Sequence, residues 1–222
     1  MEGSPLAPEI LFHLGPVPIA RQVVTTWGIM AAMALFLKLA LRRPSSDAGP
    51  VQAALEIVVV TVVNQLREVL NRDPWPYVPL LGSLFLFLGV ANLSAILPGV
   101  KSPTSHIETP AALGLVVFFS IHYYGFRVRG IGPYLRHYVQ PSPFLLPLNI
   151  LSEITRIFSL MVRLFGNMMS HEFIIAILLL LAGLLLPIPF LLLGVLIGLI
   201  QAYIFTILAT VYIAAAVGAA EA

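Results

Sequence analysis

The sequence predicts an all-α polytopic membrane protein: about five membrane helices plus an amphipathic interfacial segment, ending in a long, strongly tilted helical hairpin. Three observations carry that prediction. Of the 222 residues 59% are hydrophobic and only 10% are charged, where soluble domains carry roughly 25% charged residues. The apolar residues fall into blocks long enough to cross ~30 Å of hydrocarbon, separated by short runs rich in Pro, Gly and Arg. The last two blocks exceed what a bilayer needs and are divided only by Pro187-Ile188-Pro189.

Taken in order, residues 1–22 are an external N-terminal segment. Met1 to Gly15 has no basic stretch ahead of an apolar core, so no cleaved signal peptide is expected. The first span runs from about Val23 to Leu41, with Lys38 placed to snorkel towards Arg42 and Arg43. Val51 to Asn71 carries Asn64, Arg67, Asn71 and Glu56 on roughly one helical face, and reads as an interfacial amphipathic helix or a shallow hairpin. After Asp73-Pro74-Trp75-Pro76 the second span covers about Tyr77 to Leu97, and the third about Pro110 to Phe126. Gly130 to Pro147, rich in Pro and Tyr, reads as a loop. The segment 148–186 and a final helix from about Phe190 to Gly218 complete one membrane domain over 1–222, in which 148–220 is an antiparallel hairpin.

Arginines orient the set. Arg42, Arg43, Arg67, Arg72, Arg127, Arg129 and Arg136 fall on one side, and only Arg21 and Lys101 on the other. The positive-inside rule then puts the N-terminus outside and the C-terminus inside. Other chemistry is excluded or unsupported. A net charge of +2 gives no electrostatic footprint for nucleic acid, no cysteine is available for disulfides or thiolate ligands, and no P-loop is present. No cofactor and no metal are expected. No internal repeat argues for an inverted-repeat transporter.

The residue that demands a reason is Arg163, in the middle of 148–186. A guanidinium stays protonated, so it cannot avoid lipid by losing its charge. At the centre of a spanning helix it costs at least ~2.5–3.5 kcal/mol. Its segment is 39 residues long, about 58 Å if helical throughout, so it must tilt, bend or lie partly along the membrane. At ~100° per residue, with Arg163 at zero, Arg156, Ser152, Ser159, Asn167 and Ser170 fall within about 40° of it. Glu153 and His171 fall at about 80°, and Glu172 stands apart at about 180°. Polar residues also serve as interhelical glue, but two arginines and a glutamate on one track exceed what glue requires. On the last helix Gln201, Tyr212, Gly194 and Gly198 share a face, where the glycines let the hairpin backbones approach and Gln201 can meet the guanidinium. A stand-alone transporter or channel, with Arg163 binding an anion, is the alternative reading. Such proteins often use Pro- or Gly-broken midplane helices, whereas Pro187 and Pro189 sit at a hairpin turn.

These residues resemble a known family, subunit a of the F-type ATP synthase membrane sector. The resemblance rests on Ser159-Leu160-Met161-Val162-Arg163-Leu164-Phe165-Gly166-Asn167-Met168, with Glu172 nine positions beyond the arginine. A second match is Gln201-Ala202-Tyr203-Ile204-Phe205 with Tyr212 eleven residues on. A third, weaker one is Asn92-Leu93-Ser94-Ala95-Ile96-Leu97-Pro98-Gly99 leading to Ser102-Pro103-Thr104. The chain departs from the usual bacterial pattern in three places. Ile157 replaces a common proline, Ala95 replaces an acidic residue, and Gly194 stands where a histidine is frequent while His171 occupies a usually small position.

The resemblance implies a non-catalytic stator subunit in a bacterial inner membrane, coupling ion flow to ATP synthesis or hydrolysis. Its implied partners are the ring of c-type proteolipids, peripheral-stalk b subunits, the rest of the ATP synthase and membrane lipid. Arg163 would face the ring carboxylate. Asn167, His171, Glu172, Gln201, His106 and Glu108 would line an outer half-channel, with His171 supplying the imidazole absent at Gly194. Glu153, Arg156 and Ser159 would line the inner one, while Gly194, Gly198 and Tyr212 pack the hairpin. The ion is expected to be the proton, with sodium the alternative. His122 and His137 read as interfacial, and His13 has no assigned role.

Overall fold

In the computed structural model, the structure describes residues 10–14, 17–40, 50–96, 102–139, 144, 146–183 and 186–218. A short antiparallel hairpin, β1 (Ile10–Leu14) and β2 (Val17–Ala20), opens the described chain. It leads into α1 (Arg21–Ala40), α2 (Pro50–Leu70) and α3 (Val78–Leu93), which tightens into a 3-10 turn over Ser94–Ile96. A second 3-10 turn, Pro103–Ser105, precedes α4 (Glu108–Arg129) and α5 (Ile131–Val139). The chain finishes with α6 (Leu146–Ala182) and α7 (Pro187–Val217).

The helical membrane architecture is as predicted. Among the described residues, α1, α4, α6 and α7 are long and apolar enough to cross a bilayer, and α3 is a shorter apolar helix of 16 residues. Helix α6 has 37 residues and α7 has 31, about 55 and 46 Å respectively, so both outrun the hydrocarbon thickness. Pro187 opens α7 where its missing N–H is not needed, and Gly218 closes it at φ +77° with its N–H on the Ala214 and Ala215 carbonyls.

Three local expectations change. Ile10–Leu14 and Val17–Ala20 pair as two strands where no element was expected, while Lys101, Arg42 and Arg43 lie outside the described residues. Over 51–71 the shallow-hairpin option gives way to one continuous helix. Its Val62, Val63, Leu66 and Leu70 are buried against α3 and α7, while Glu56, Asn64, Arg67 and Glu68 face outwards. The 130–147 segment is not simply a loop: α5 forms within it, anchored by Tyr134, which is only 2% exposed. A Cβ at Gly125 would collide with the Tyr134 ring, so this glycine makes the notch that holds α5 against α4.

The core gathers Leu81 and Leu88 of α3, Val117 of α4, Leu160 and Leu164 of α6, and Phe205, Ala209 and Ile213 of α7. Burying these faces fixes the rotation of α6 about its axis. Leu160 and Leu164 point inward, and Arg163, about 60–100° round the helix from them, is left on an exposed flank.

Candidate functional site

Arg163 lies exposed on α6 and forms no hydrogen bond or ion pair with any described residue. Gln201 does not meet it. The Gln201 amide, 3% exposed, accepts a 2.7 Å hydrogen bond from Asn167 Nδ2 one turn further along α6. Among the described residues the guanidinium thus keeps its charge uncompensated.

On the side of Arg163 towards the α6–α7 turn, polar groups leave the open face and pass behind the hairpin. Glu172, the residue that stood apart from the stripe, accepts the backbone N–H of Ser102 at 2.9 Å. Ser102 Oγ in turn bonds Thr104 Oγ1 at 2.7 Å and the Ala91 carbonyl at 3.0 Å. Thr104 donates to Asn92 Oδ1 at 2.7 Å, and Asn92 Nδ2 donates to the Gly198 carbonyl at 2.8 Å. Asn92, Ser102 and Thr104 are each at most 3% exposed. This buried cluster ties α3 and the second 3-10 turn to both arms of the hairpin, as low-dielectric polar groups require when removed from water.

The two glycines have different jobs. A Cβ on Gly198 would come within 2.9 Å of Asn92 Cβ on α3 and 3.8 Å of Met168 Cε on α6, so Gly198 admits α3 as well as α6. The space a side chain at Gly194 would need is filled by the His171 imidazole, whose Nε2 lies 3.0 Å from the Phe190 carbonyl. An imidazole therefore stands beside α7 at Gly194, carried by α6. His106 pairs with Gln22 of α1, Nε2 to Nε2 at 2.9 Å, and Thr26 meets Thr109 at 3.3 Å. Glu108 is not drawn into this cluster. It sits exposed in the first turn of α4, where a carboxylate suits the helix dipole, on the wall of an apolar cavity beside Trp27 and Met30.

In the other direction from Arg163 the polar track stays open. Ser159, Arg156 and Ser152 are exposed on α6. Arg156 and Glu153 border a cavity of about 270 Å³ that also includes Asn149, Tyr134 and Tyr212. The Arg156 guanidinium lies 5.9 Å from the centre of the Tyr212 ring, and Tyr212, packed against the core, also walls this cavity. His122 of α4 is not merely interfacial: its Nδ1 lies 3.7 Å from Glu153 Oε1. His137 and His13 have no described side chain.

A charged residue flanked by two separate polar regions on a long apolar hairpin is what the resemblance requires, and comparison with known proteins decides the family. The ATP synthase A chain family matches residues 23–214. The chain belongs to that family. It is 59% identical over 98% of both chains to ATP synthase subunit a 2 of Bradyrhizobium sp. (strain BTAi1 / ATCC BAA-1182). It is 51% identical to ATP synthase subunit a 2 of Pelobacter propionicus, covering 96% of this chain and 94% of that one. Against ATP synthase subunit a of Moorella thermoacetica the identity is 41%, with 93% and 95% covered. This member of the ATP synthase A chain family is thus a multi-pass membrane protein of the ATP synthase membrane sector, serving ion transport and ATP synthesis.

Sequence reasoning singled out Asn92, Ser102 and Thr104 as motif residues without giving them a role, and it passed over Gln22. The polar run in an otherwise apolar stretch was the available signal for the first three. For Gln22 the signal was an amide and two threonines opening an apolar helix.

Proposed function

We propose that this chain is the stator subunit a of an F-type ATP synthase, passing protons to and from the carboxylates of a rotating ring through two offset half-channels. The observation that carries the proposal is Arg163: a permanent cation, exposed, without a partner among the described residues, between a buried polar cluster and an open polar cavity. Ile174, Ile177 and Leu181, within about 40° of Arg163 round α6, are apolar and exposed, which suits a face shared with hydrophobic ring helices.

The chemistry follows from two environments. A ring carboxylate surrounded by lipid is favoured as the neutral acid. Next to Arg163 it is favoured as the anion, since unit charges ~4 Å apart attract by roughly 4 kcal/mol at an effective dielectric of ~20. The proton leaves as the carboxylate approaches Arg163 and another is bound past it. Asn167, Gln201, His171 and Glu172, continued by Ser102, Thr104 and Asn92, serve the outer path, with His106 and Gln22 nearer its mouth. Ser159, Arg156 and Glu153 serve the inner one. Arg163 repels a cation that would cross between them directly.

One end of the bundle gathers Arg72, Arg127 and Arg129, because Tyr124 donates to the Pro76 carbonyl and the Arg129 guanidinium lies over Gly218. Gln22 and His106 lie at the other end. This supports an inner membrane protein of a bacterium with its N-terminus outside and C-terminus in the cytoplasm, working with peripheral-stalk b subunits and the rest of the complex. The test is Arg163→Lys in the assembled complex. An ammonium is more strongly hydrated and releases its proton more readily, so ATP-driven pumping should fall to a few per cent of wild type or less. A fully coupled lysine variant would refute the electrostatic mechanism.

A further inference from the structure

The geometry points to a binding site for one acyl chain of an aminophospholipid, a lipid with a primary ammonium head, in the cleft between α1 and the α3–α4 pair. The inference lies outside the ion path and requires only that the chain sits in a bilayer. Helix α1 is the least buried of the four membrane spans. It is pinned near its start, where Gln22 meets His106 and Thr26 meets Thr109. Beyond that pin a cavity of about 420 Å³ separates Trp27, Met30 and Met33 of α1 from Leu84 of α3 and Leu113 of α4. Trp27 on one wall is 52% exposed and Val116 on the other 45%, so the cleft opens on the surface that faces lipid.

Size, polarity and charge select the occupant. The α1 wall runs from Val23 to Met33, ~15 Å at ~1.5 Å per residue. Spread over that length, the cavity has a mean cross-section of roughly 30 Å², against ~80 Å² for a helix ~10 Å across. A slim hydrocarbon chain suits it, and a helix of a partner subunit does not. Polar groups gather at the end near the start of α1, where Glu108, Thr109 and Thr26 line the cleft. On the α3 wall the Ser83 hydroxyl is taken up by the Leu80 carbonyl of its own helix at 2.9 Å. The two threonines bond each other, and Thr26 also donates to the Gln22 carbonyl at 2.8 Å. Glu108 remains, exposed in the first turn of α4, with no hydrogen bond or ion pair to any described residue. A carboxylate only accepts, so it favours a head that is cationic and carries N–H groups. A primary ammonium has both, a quaternary ammonium lacks the N–H, and an anionic head is repelled. The lipid then keeps its head at the rim, near Trp27, an aromatic suited to the membrane–water boundary, and its tail in the cleft.

The experiment uses the whole ATP synthase reconstituted in vesicles that contain phosphatidylethanolamine with a diazirine at the end of one acyl chain. Light-induced cross-links to this chain are mapped by residue, with competing unlabelled lipids added at equal excess. Labels should concentrate several-fold on the walls of the cleft over Leu35 of α1 and Phe119 of α4, which are exposed outside it. Unlabelled phosphatidylethanolamine should displace them about two- to five-fold better than phosphatidylcholine or phosphatidylglycerol, the discrimination an exposed ion pair supplies. Glu108→Gln should erase the preference over phosphatidylcholine. Ala112→Trp, which fills the cleft from α4, should lower the wall labels several-fold in complexes assembled to wild-type amounts. If that variant fails to assemble, Val116→Phe fills the same space in a smaller step and should act in the same direction. Wall labels no denser than those at Leu35 and Phe119, or undiminished in an assembled filled variant, overturn the site. Walls without label mean that another subunit covers α1, and overturn it equally. Equal displacement by the three lipids, or a preference that survives Glu108→Gln, overturns the role of the ammonium head.

Discussion

The two polar regions that flank Arg163 are built on opposite principles. In the one containing Glu172, Ser102, Thr104 and Asn92, the last three are buried and Glu172 partly so, and its hydrogen bonds run from 2.7 to 3.0 Å through four elements. The one containing Ser152, Arg156 and Ser159 is exposed along a single helix and opens on a cavity. In the first, polarity is held by the fold, and each group also joins helices. In the second, polarity faces space that a partner or water must fill. Mutations should therefore separate: stability losses belong to the first region, and transport losses without stability losses belong to the second.

The largest structural effect is expected at Asn92. Asn92→Leu removes the partner of Thr104 and of the Gly198 carbonyl, and each buried group left unpaired costs about 1–3 kcal/mol. The yield of assembled complex and its melting temperature should both drop; a wild-type melting curve would mean the cluster is wetter than its burial indicates. Next comes Gly198→Ala, whose new Cβ must push Asn92 aside, at about 1–3 kcal/mol, the usual penalty for overpacking. Equal stability would show that α3 and α7 have slack.

His171→Ala sharpens the comparison differently. It opens the space beside Gly194 and removes a titratable group, so ion-driven turnover should fall several-fold, more than the melting temperature indicates. Unchanged turnover would take His171 off the path. In the inner region Arg156→Ala loses a cation–π contact worth about 0.5–1 kcal/mol at an exposed site, and Ser159→Ala should shift stability by less than about 0.5 kcal/mol. If either destabilised the complex as much as Asn92→Leu, the contrast between the two regions would fail.

Much of this was legible in the chain itself. The long hairpin, the placement of Arg163 on it and the polar stripe all follow from helical periodicity, which is local. Glu172 shows where locality ends. Periodicity put it off the stripe, but only the packing of the second 3-10 turn against α6 reveals why, since Ser102 is 70 residues distant in sequence. Gln201 was offered to Arg163 because it shares the glycine face of α7 in the same hairpin, yet a shift of one turn gives it to Asn167 instead. Helix α5 was hidden by its Pro133, although proline is well tolerated in a first helical turn. The Gly15-Pro16 pair between two apolar runs was a turn signal for β1 and β2 that was overlooked.

The most direct measurement of the central claim is coupled transport by complexes with Arg163→Ala, assembled to wild-type amounts in sealed vesicles. A guanidinium that separates two paths and discharges a passing acid predicts pumping at background level, with passive ion flow under an imposed gradient retained or increased. ATP-driven pumping at the wild-type rate in that variant would contradict it.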